Sequence, residues 1–237
     1  MEYIRNNISL YCEDYKNILS KLPDNYVDLI ITDPPYRTTK RGISKNTTTG
    51  GLVRSELGRQ GKIFKNNDVP IKEFVPQLYR VLKEGSHCYI MTNHVNLIEI
   101  LNVATECGFH FIKSLIWDKG NKIMGQCYMS QFEYILFFRK GKHKKINNCG
   151  TSDILSIPNK KTKDENGKNL HDTEKPIELA KILIENSSNE GDLVLDPFFG
   201  VGFVSIACKM LNRRFCGTEI DKEYFNKTIE RLEDIDI

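Results

Sequence analysis

Val27-Asp28-Leu29-Ile30-Ile31-Thr32-Asp33-Pro34-Pro35-Tyr36 decides how this chain is read. The stretch from Val27 to Thr32 is apolar, largely β-branched and of strand length, too short for an independent helix. Two prolines then end it, since proline has no backbone N–H to give to a ladder. Similar segments recur at His87–Thr92, Phe111–Trp117, Glu133–Phe138, Leu193–Leu195 and Phe215–Thr218. Helical spacing fills much of the chain between them. Leu97, Ile98, Leu101 and Ala104 recur at three and four and end near Gly108. Ile177, Ala180, Lys181 and Ile184 follow Pro176, a good first-turn residue, and Tyr224, Thr228 and Leu232 mark a final helix. Alternation of this kind implies an α/β fold: a mostly parallel sheet with helices on both faces, in a single domain over residues 1–237.

In open sheets of this type, ligands bind beyond the carboxyl ends of the strands. That is where Asp33, Pro34, Pro35 and Tyr36 fall. The site offers an acceptor carboxylate, the Pro34 carbonyl on a stiffened backbone, and an aromatic face. An exocyclic amine on a heteroaromatic base needs such a site, because its lone pair is delocalised into the ring. Two acceptors on its N–H groups favour the pyramidal nitrogen formed when a methyl group arrives. Stacking on Tyr36 suits a base flipped from its helix. The plainer reading is a proline-rich strand end with a helix-capping aspartate.

A second signal lies at Leu193-Val194-Leu195-Asp196-Pro197-Phe198-Phe199-Gly200-Val201-Gly202, an apolar strand running into a glycine turn and then a helix. Glycines let backbone approach a ligand, and a helix start favours a carboxylate. The next strand ends in Glu219, about twenty residues past the glycines, which suits a pair of ribose hydroxyls. Its plainer reading is a helix cap or a surface charge.

Net charge is only +3, yet its distribution is uneven. Arg37–Lys65 holds eight basic residues against one acidic, and Arg139–Lys168 nine against three, which leaves the remainder at −10. Two basic stretches on an acidic body fit contact with a polyanion, or else two solvated lysine-rich loops. Arg37–Lys65 and Asn147–Asn169 are also polar and without periodicity, and read as long loops. No apolar run approaches the ~18 residues of a membrane span, and the start has no secretion signal. Seven cysteines, with no CxxC pair, read as free thiols in a reducing cytoplasm and argue against a structural zinc.

Taken together and in this order, the motifs resemble the beta class of amino-methyltransferases of bacterial and phage DNA, in which the DPPY motif precedes the cofactor motif. The resemblance extends to Tyr11-Cys12-Glu13-Asp14, Ile116-Trp117-Asp118-Lys119, Glu133-Tyr134-Ile135-Leu136-Phe137 and His171-Asp172-Thr173-Glu174-Lys175-Pro176. It implies a Rossmann-like methyltransferase fold and transfer of a methyl group from S-adenosyl-L-methionine to N6 of adenine, without a metal. Asp33, Pro34, Pro35 and Tyr36 would form the base-amino pocket. Asp14 would meet the cofactor's adenine and Glu219 its ribose. Phe198 and Gly200 would line the methionine end, with Lys175 near its carboxylate; Asp33, Thr173, Asp196 and Gly202 complete the implied cofactor contacts.

The resemblance also implies double-stranded DNA as partner, contacted by Arg37, Lys40 and Arg41 in the first basic loop and by Lys144, Lys145, Lys160 and Lys161 in the second. Residues 142–168 lie where the family places its target-recognition region. A cognate restriction endonuclease, a homodimer and a cytoplasmic setting are further implications. Val201 and Phe203 depart from the family, which usually has serine and threonine there. N4 of cytosine is the nearest alternative substrate, favoured by relatives with serine in place of Asp33. A non-catalytic DNA-binding module that has kept the fold is the alternative of another kind.

Overall fold

The computed structural model describes residues 1–35, 69–123, 128–159 and 175–235. The described strands are β1 (Glu2–Arg5), β2 (Ile8–Tyr11), β3 (Val27–Thr32), β4 (Leu82–Thr92), β5 (Phe109–Ile123), β6 (Ser130–Lys140), β7 (Ile154–Ser156), β8 (Leu193–Asp196) and β9 (Arg214–Thr218). The described helices are α1 (Tyr15–Lys21), α2 (Ile71–Val81), α3 (Leu97–Glu106), α4 (Ile177–Ser187), α5 (Phe203–Met210) and α6 (Lys222–Glu233).

All nine strands join one sheet in the order β1-β2-β9-β8-β3-β4-β6-β5-β7. From β2 to β4 every pairing is parallel, while β6 runs antiparallel to both of its neighbours and β1 antiparallel to β2. The sheet is therefore mostly parallel at its centre, with an antiparallel β4-β6-β5 flank.

Because side chains alternate across a strand, the apolar central strands feed two cores. Leu29 and Ile31 join Tyr89, Met91, Ile135 and Phe137 on the face covered by α4, α5 and α6. Val27 and Ile30 join Cys88, Ile90, Leu136 and Phe138 on the face covered by α1, α2 and α3.

The expected strands are all present, several of them longer than expected. β4 starts five residues before His87, but regular pairing with β3 begins only at Leu29↔His87, after a bulge. Which helical stripe is buried differs from expectation. α3 buries Ile100, Val103 and Ala104, whereas Ile98 is exposed. Leu97-Ile98-Glu99-Ile100-Leu101 is apolar nearly all round, so spacing alone does not choose the face; the sheet does. α4 buries Leu179 and Leu183 beside Ala180 and Ile184, and α6 uses Phe225 in place of Tyr224.

The chain leaves β8 through α5 toward β9 on one side, and leaves β3 toward β4 on the other. A crevice opens where neighbouring strands send their connections in opposite directions. It lies over the carboxyl ends of β3 and β8, which carry Thr32-Asp33-Pro34-Pro35 and Asp196-Pro197-Phe198.

Candidate active site

The two strand ends are fastened to each other. The Thr32 hydroxyl donates to Asp196 Oδ1 at 2.8 Å, and the Phe198 N–H donates to the same oxygen at 3.0 Å. Asp196 is fully buried, and its Oδ2 has no hydrogen-bond partner among the described residues. Burial pushes its carboxyl up to about 8 against those two bonds, with Asp33 and Glu219 adding to the rise.

After Asp196 the chain makes the glycine turn. Gly200 has φ +56 and its N–H donates to Glu219 Oε2 at 3.0 Å; a Cβ placed there would meet open space. Gly202, at φ +84, precedes α5, and a Cβ there would come within 2.4 Å of Thr228 Cγ2. The first glycine thus keeps the crevice open, while the second lets α6 close against the turn. Glu219, just past β9, also accepts from the Asp221 N–H at 2.8 Å. Burial raises its carboxyl, opposed by the Asp221 and Gly200 bonds.

Val201 and Phe203 are each only 5% exposed. Phe203 belongs to the core under α5, and the Val201 carbonyl accepts from Arg231 Nη1 at 2.5 Å. The two positions where hydroxyls were anticipated are turned into the protein as packing.

Asp14 caps α1, its Oδ1 accepting from the Lys16 N–H at 2.8 Å. The carboxylate stands past β2, whose end is tied to the crevice by the Glu219 N–H donating to the Tyr11 carbonyl at 3.0 Å. Behind it, Tyr15 and Phe198 lie with ring centroids 5.0 Å apart, and Phe74 lies 5.5 Å from Phe198. Phe74 also lines a cavity of about 120 Å³ beside Pro34 and Pro35, with Asn96, Glu99 and Ile100.

Asp33 is held from the face that α4 covers, which also carries Leu29 and Ile31. Lys175 Nζ, just before α4, lies 2.5 Å from Asp33 Oδ2 and 3.2 Å from Glu133 Oε2. Glu133, on β6, is also paired with Lys119 of β5. Both ammonium groups lie over the ring of Trp117, which is fully buried, at 5.8 Å for Lys175 and 5.1 Å for Lys119. Burial opposes charge on Lys175, but Asp33 and Glu133 prevail and hold its ammonium above the usual lysine range. Burial likewise opposes charge on Glu133, and Lys175 and Lys119 together keep its carboxyl below the usual range. The motif alone suggests the cofactor as partner of Lys175; in the fold its partners are two carboxylates. No motif signals the part of Lys119 and Glu133, although both stand in segments of the family resemblance.

Asp14, Asp33, Pro34, Pro35, Lys175, Asp196, Phe198, Gly200, Gly202 and Glu219 are all at or beside the strand-end crevice. Tyr36 and Thr173 lie outside the described residues, as do Arg37, Lys40, Arg41, Lys160 and Lys161. Lys144 and Lys145 are not brought to this edge. They follow β6 where it pairs with the start of β4, and the Lys144 carbonyl sits 3.1 Å from His87 Nε2. That places them at the amino ends of the parallel strands, opposite Asp33. Lys140, counted among the basic residues, is buried and donates to the carbonyls of Tyr79 and Leu82 at 2.8 Å each.

Residues 27–230 match the model of the family described as DNA methylase, the N6/N4 methyltransferases. The chain belongs to this family. The methylase is 29% identical to the type II methyltransferase M2.DpnII of Streptococcus pneumoniae, over 98% of this chain and 91% of that protein. It is 27% identical to the type II methyltransferase M2.MboI of Moraxella bovis, over 97% and 89% respectively. Among solved structures, the M1.HpyAVI–SAM complex is matched with a TM-score of 0.70 at 27% identity, covering 95% of the methylase and all of that chain. The cytosine-N4-specific PvuII DNA methyltransferase gives a TM-score of 0.73 at 17% identity, covering 98% of the methylase and 88% of that chain, and so shares its fold. The Rossmann-like methyltransferase fold inferred from the motifs is the fold observed.

Proposed function

We propose that this DNA methylase transfers a methyl group from S-adenosyl-L-methionine to N6 of adenine in double-stranded DNA. One observation carries the reading: Asp33-Pro34-Pro35 ends β3 directly beside the glycine crevice of β8, the two ends joined by the Thr32–Asp196 bond. A methyl donor in the crevice and an amine at Asp33 would then face each other across adjacent strands, so that holding them there supplies most of the catalysis.

The crevice suits the donor. Glu219 is a carboxylate already oriented by two N–H groups, suited to ribose hydroxyls. The space above Gly200 admits the methionine end. Asp14 and Phe198 stand where the adenine end would lie. Bound there, S-adenosyl-L-methionine supplies an activated methyl group. Asp33 and the Pro34 carbonyl accept the two N–H bonds of the flipped adenine, and Tyr36 stacks on its ring.

Asp33 supports adenine over cytosine, whose enzymes in this family more often carry serine at that place. The fold is shared with a cytosine-N4-specific enzyme and does not discriminate. Both curated relatives are named type II methyltransferases, which supports a role opposite a cognate restriction endonuclease.

DNA contact is assigned to Arg37, Lys40, Arg41, Lys160 and Lys161. The first three come within six residues of Pro35 in the chain, and the last two lie between β7 and Lys175; Pro35, the end of β7 and Lys175 are at the edge that carries Asp33. Lys144 and Lys145, on the opposite edge, are left out. Phosphate contacts of this kind make affinity fall steeply with salt.

The test is to express the chain in cells lacking DNA methylation and to quantify modified nucleosides by mass spectrometry. N6-methyladenine is the expected product. N4-methylcytosine would overturn the choice of base, and neither product from soluble protein would overturn the reading.

A further inference from the structure

The segments Ile116–Lys119 and Glu133–Phe137 have no part in the function so far, yet the structure connects both to Asp33. Lys119, Glu133, Lys175 and Asp33 form a chain of alternating charge drawn from β5, β6, the entry to α4 and the end of β3. All four members are poorly accessible to water: side-chain exposure is 7% for Lys175, 12% for Lys119, 18% for Asp33 and 22% for Glu133. Buried charges of this kind are costly, and well-packed apolar residues of similar volume often serve stability as well or better. The arrangement therefore calls for a functional explanation.

The explanation lies in the charge that develops on the substrate. As the new N–C bond forms from the nitrogen lone pair and the S–C bond breaks, the amine nitrogen changes from neutral to cationic while sulfur becomes a neutral thioether. The nitrogen then loses one N–H proton through its hydrogen bond to the acceptor and on to water. An anion at Asp33 stabilises the developing cation. An ammonium 2.5 Å from that anion works against it unless a second carboxylate offsets the ammonium. Glu133 is that carboxylate.

We propose that Glu133 is a positioning residue for methyl transfer: it holds the far side of the Lys175 ammonium and offsets its charge, so that Asp33 acts toward the amine as an anion. Lys119 fixes Glu133 in turn, and Trp117 provides the surface over which both ammonium groups lie. This rests on the assignment of Asp33 as the acceptor of the target amine. Glu133 reaches Asp33 through Lys175, so its loss acts on the rate of the bound complex and spares binding.

The experiment uses the full chain, S-adenosyl-L-methionine and unmethylated plasmid DNA, with steady-state kinetics, calorimetric cofactor binding and thermal melting for every variant. Glu133→Gln is expected to lower kcat by about 10–100-fold, less than the roughly 100–1000-fold lost with a direct electrostatic contact to the reacting group. KM for DNA and the cofactor Kd are expected to stay within about threefold, a ratio near 0.7 kcal/mol at most. Glu133→Asp, which keeps the charge, restores most of the rate. The paired variant Glu133→Gln/Lys119→Met removes the ammonium that the single change leaves stranded, and provides a folded protein if Glu133→Gln alone melts. A folded variant lacking Glu133 with kcat within twofold of the parent, while Asp33→Ala is inactive, overturns the proposal and leaves the Asp33 assignment standing. A loss that Glu133→Asp does not restore, and that follows a fall in melting temperature, also overturns it, since Glu133 would then be structural. Full activity in Asp33→Ala overturns the assignment on which the proposal rests.

Discussion

The Thr32 hydroxyl donates to Asp196 Oδ1 across 2.8 Å, joining the ends of the two strands that flank the crevice. Both residues are fully buried, so no water replaces the bond when it is lost. Thr32→Val is nearly isosteric and removes one of the two hydrogen bonds that Asp196 Oδ1 accepts, leaving the one from the Phe198 N–H. It should cost about 0.5–1.5 kcal/mol of stability, the net worth of a single hydrogen bond. Urea unfolding measures it, and a change below about 0.5 kcal/mol would show that the two strand ends do not depend on the bond.

The protonation of Asp196 gives a signature in pH. A carboxyl in an unfolded chain ionises near about 4. In the fold Asp196 does so near 8. Between those values the native state retains a proton that the unfolded state has lost, so this contribution to stability is complete below about pH 4 and declines as pH rises toward about 8. The stability of the parent relative to Asp196→Asn should therefore fall with pH across that window. A relative stability that is flat or rises there contradicts the burial argument.

His87 works in the opposite direction. Burial pushes its imidazole down to about 4, against the hydrogen bond at the Lys144 carbonyl and with Lys144, Arg139 and His143 adding to the fall. The unfolded chain takes up this proton from about pH 6.5 downward, so the native state loses stability as pH falls from about 6.5 toward about 4. NMR titration should find the His87 ring neutral at pH 5.5; a midpoint near 6.5 would place it in water.

The two glycines of the turn should separate stability from ligand binding. Gly202→Ala meets Thr228 at 2.4 Å with φ +84, and should cost about 1–3 kcal/mol in unfolding experiments. Gly200→Ala points into open space with φ +56, and should cost only about 1 kcal/mol of stability while weakening S-adenosyl-L-methionine binding. Calorimetry decides it: unchanged affinity in Gly200→Ala would place the donor elsewhere.

Much of this architecture can be read from the sequence, for identifiable reasons. β3 and β8 are largely apolar on both faces, as central parallel strands are; β3 runs into Asp33-Pro34 and β8 ends at Asp196 before Pro197. β1, β2 and β7 are short strands at or near the sheet edges, too brief to leave a periodic signal. α2 carries Pro76 in its interior, which reads as a break rather than a helix. Asp33, Gly200 and Glu219 are legible because each belongs to a local motif. Glu133 and Lys119 are not, because their meaning lies in a four-residue charge chain that exists only once β5, β6, α4 and β3 have come together. The same holds for Lys144 and Lys145, whose basic character suggests DNA but whose place is set by the direction of β6.

The most direct test of the account compares the parent and Asp33→Ala with S-adenosyl-L-methionine labelled in its methyl group and unmethylated double-stranded DNA. Label entering the DNA and cofactor affinity are measured on the same preparations. The parent should place label on adenine, and Asp33→Ala should bind the cofactor within about threefold of the parent yet transfer no label. Asp33→Ala that continues to label DNA at the parental rate would contradict the role given to Asp33, and with it the site built around the end of β3.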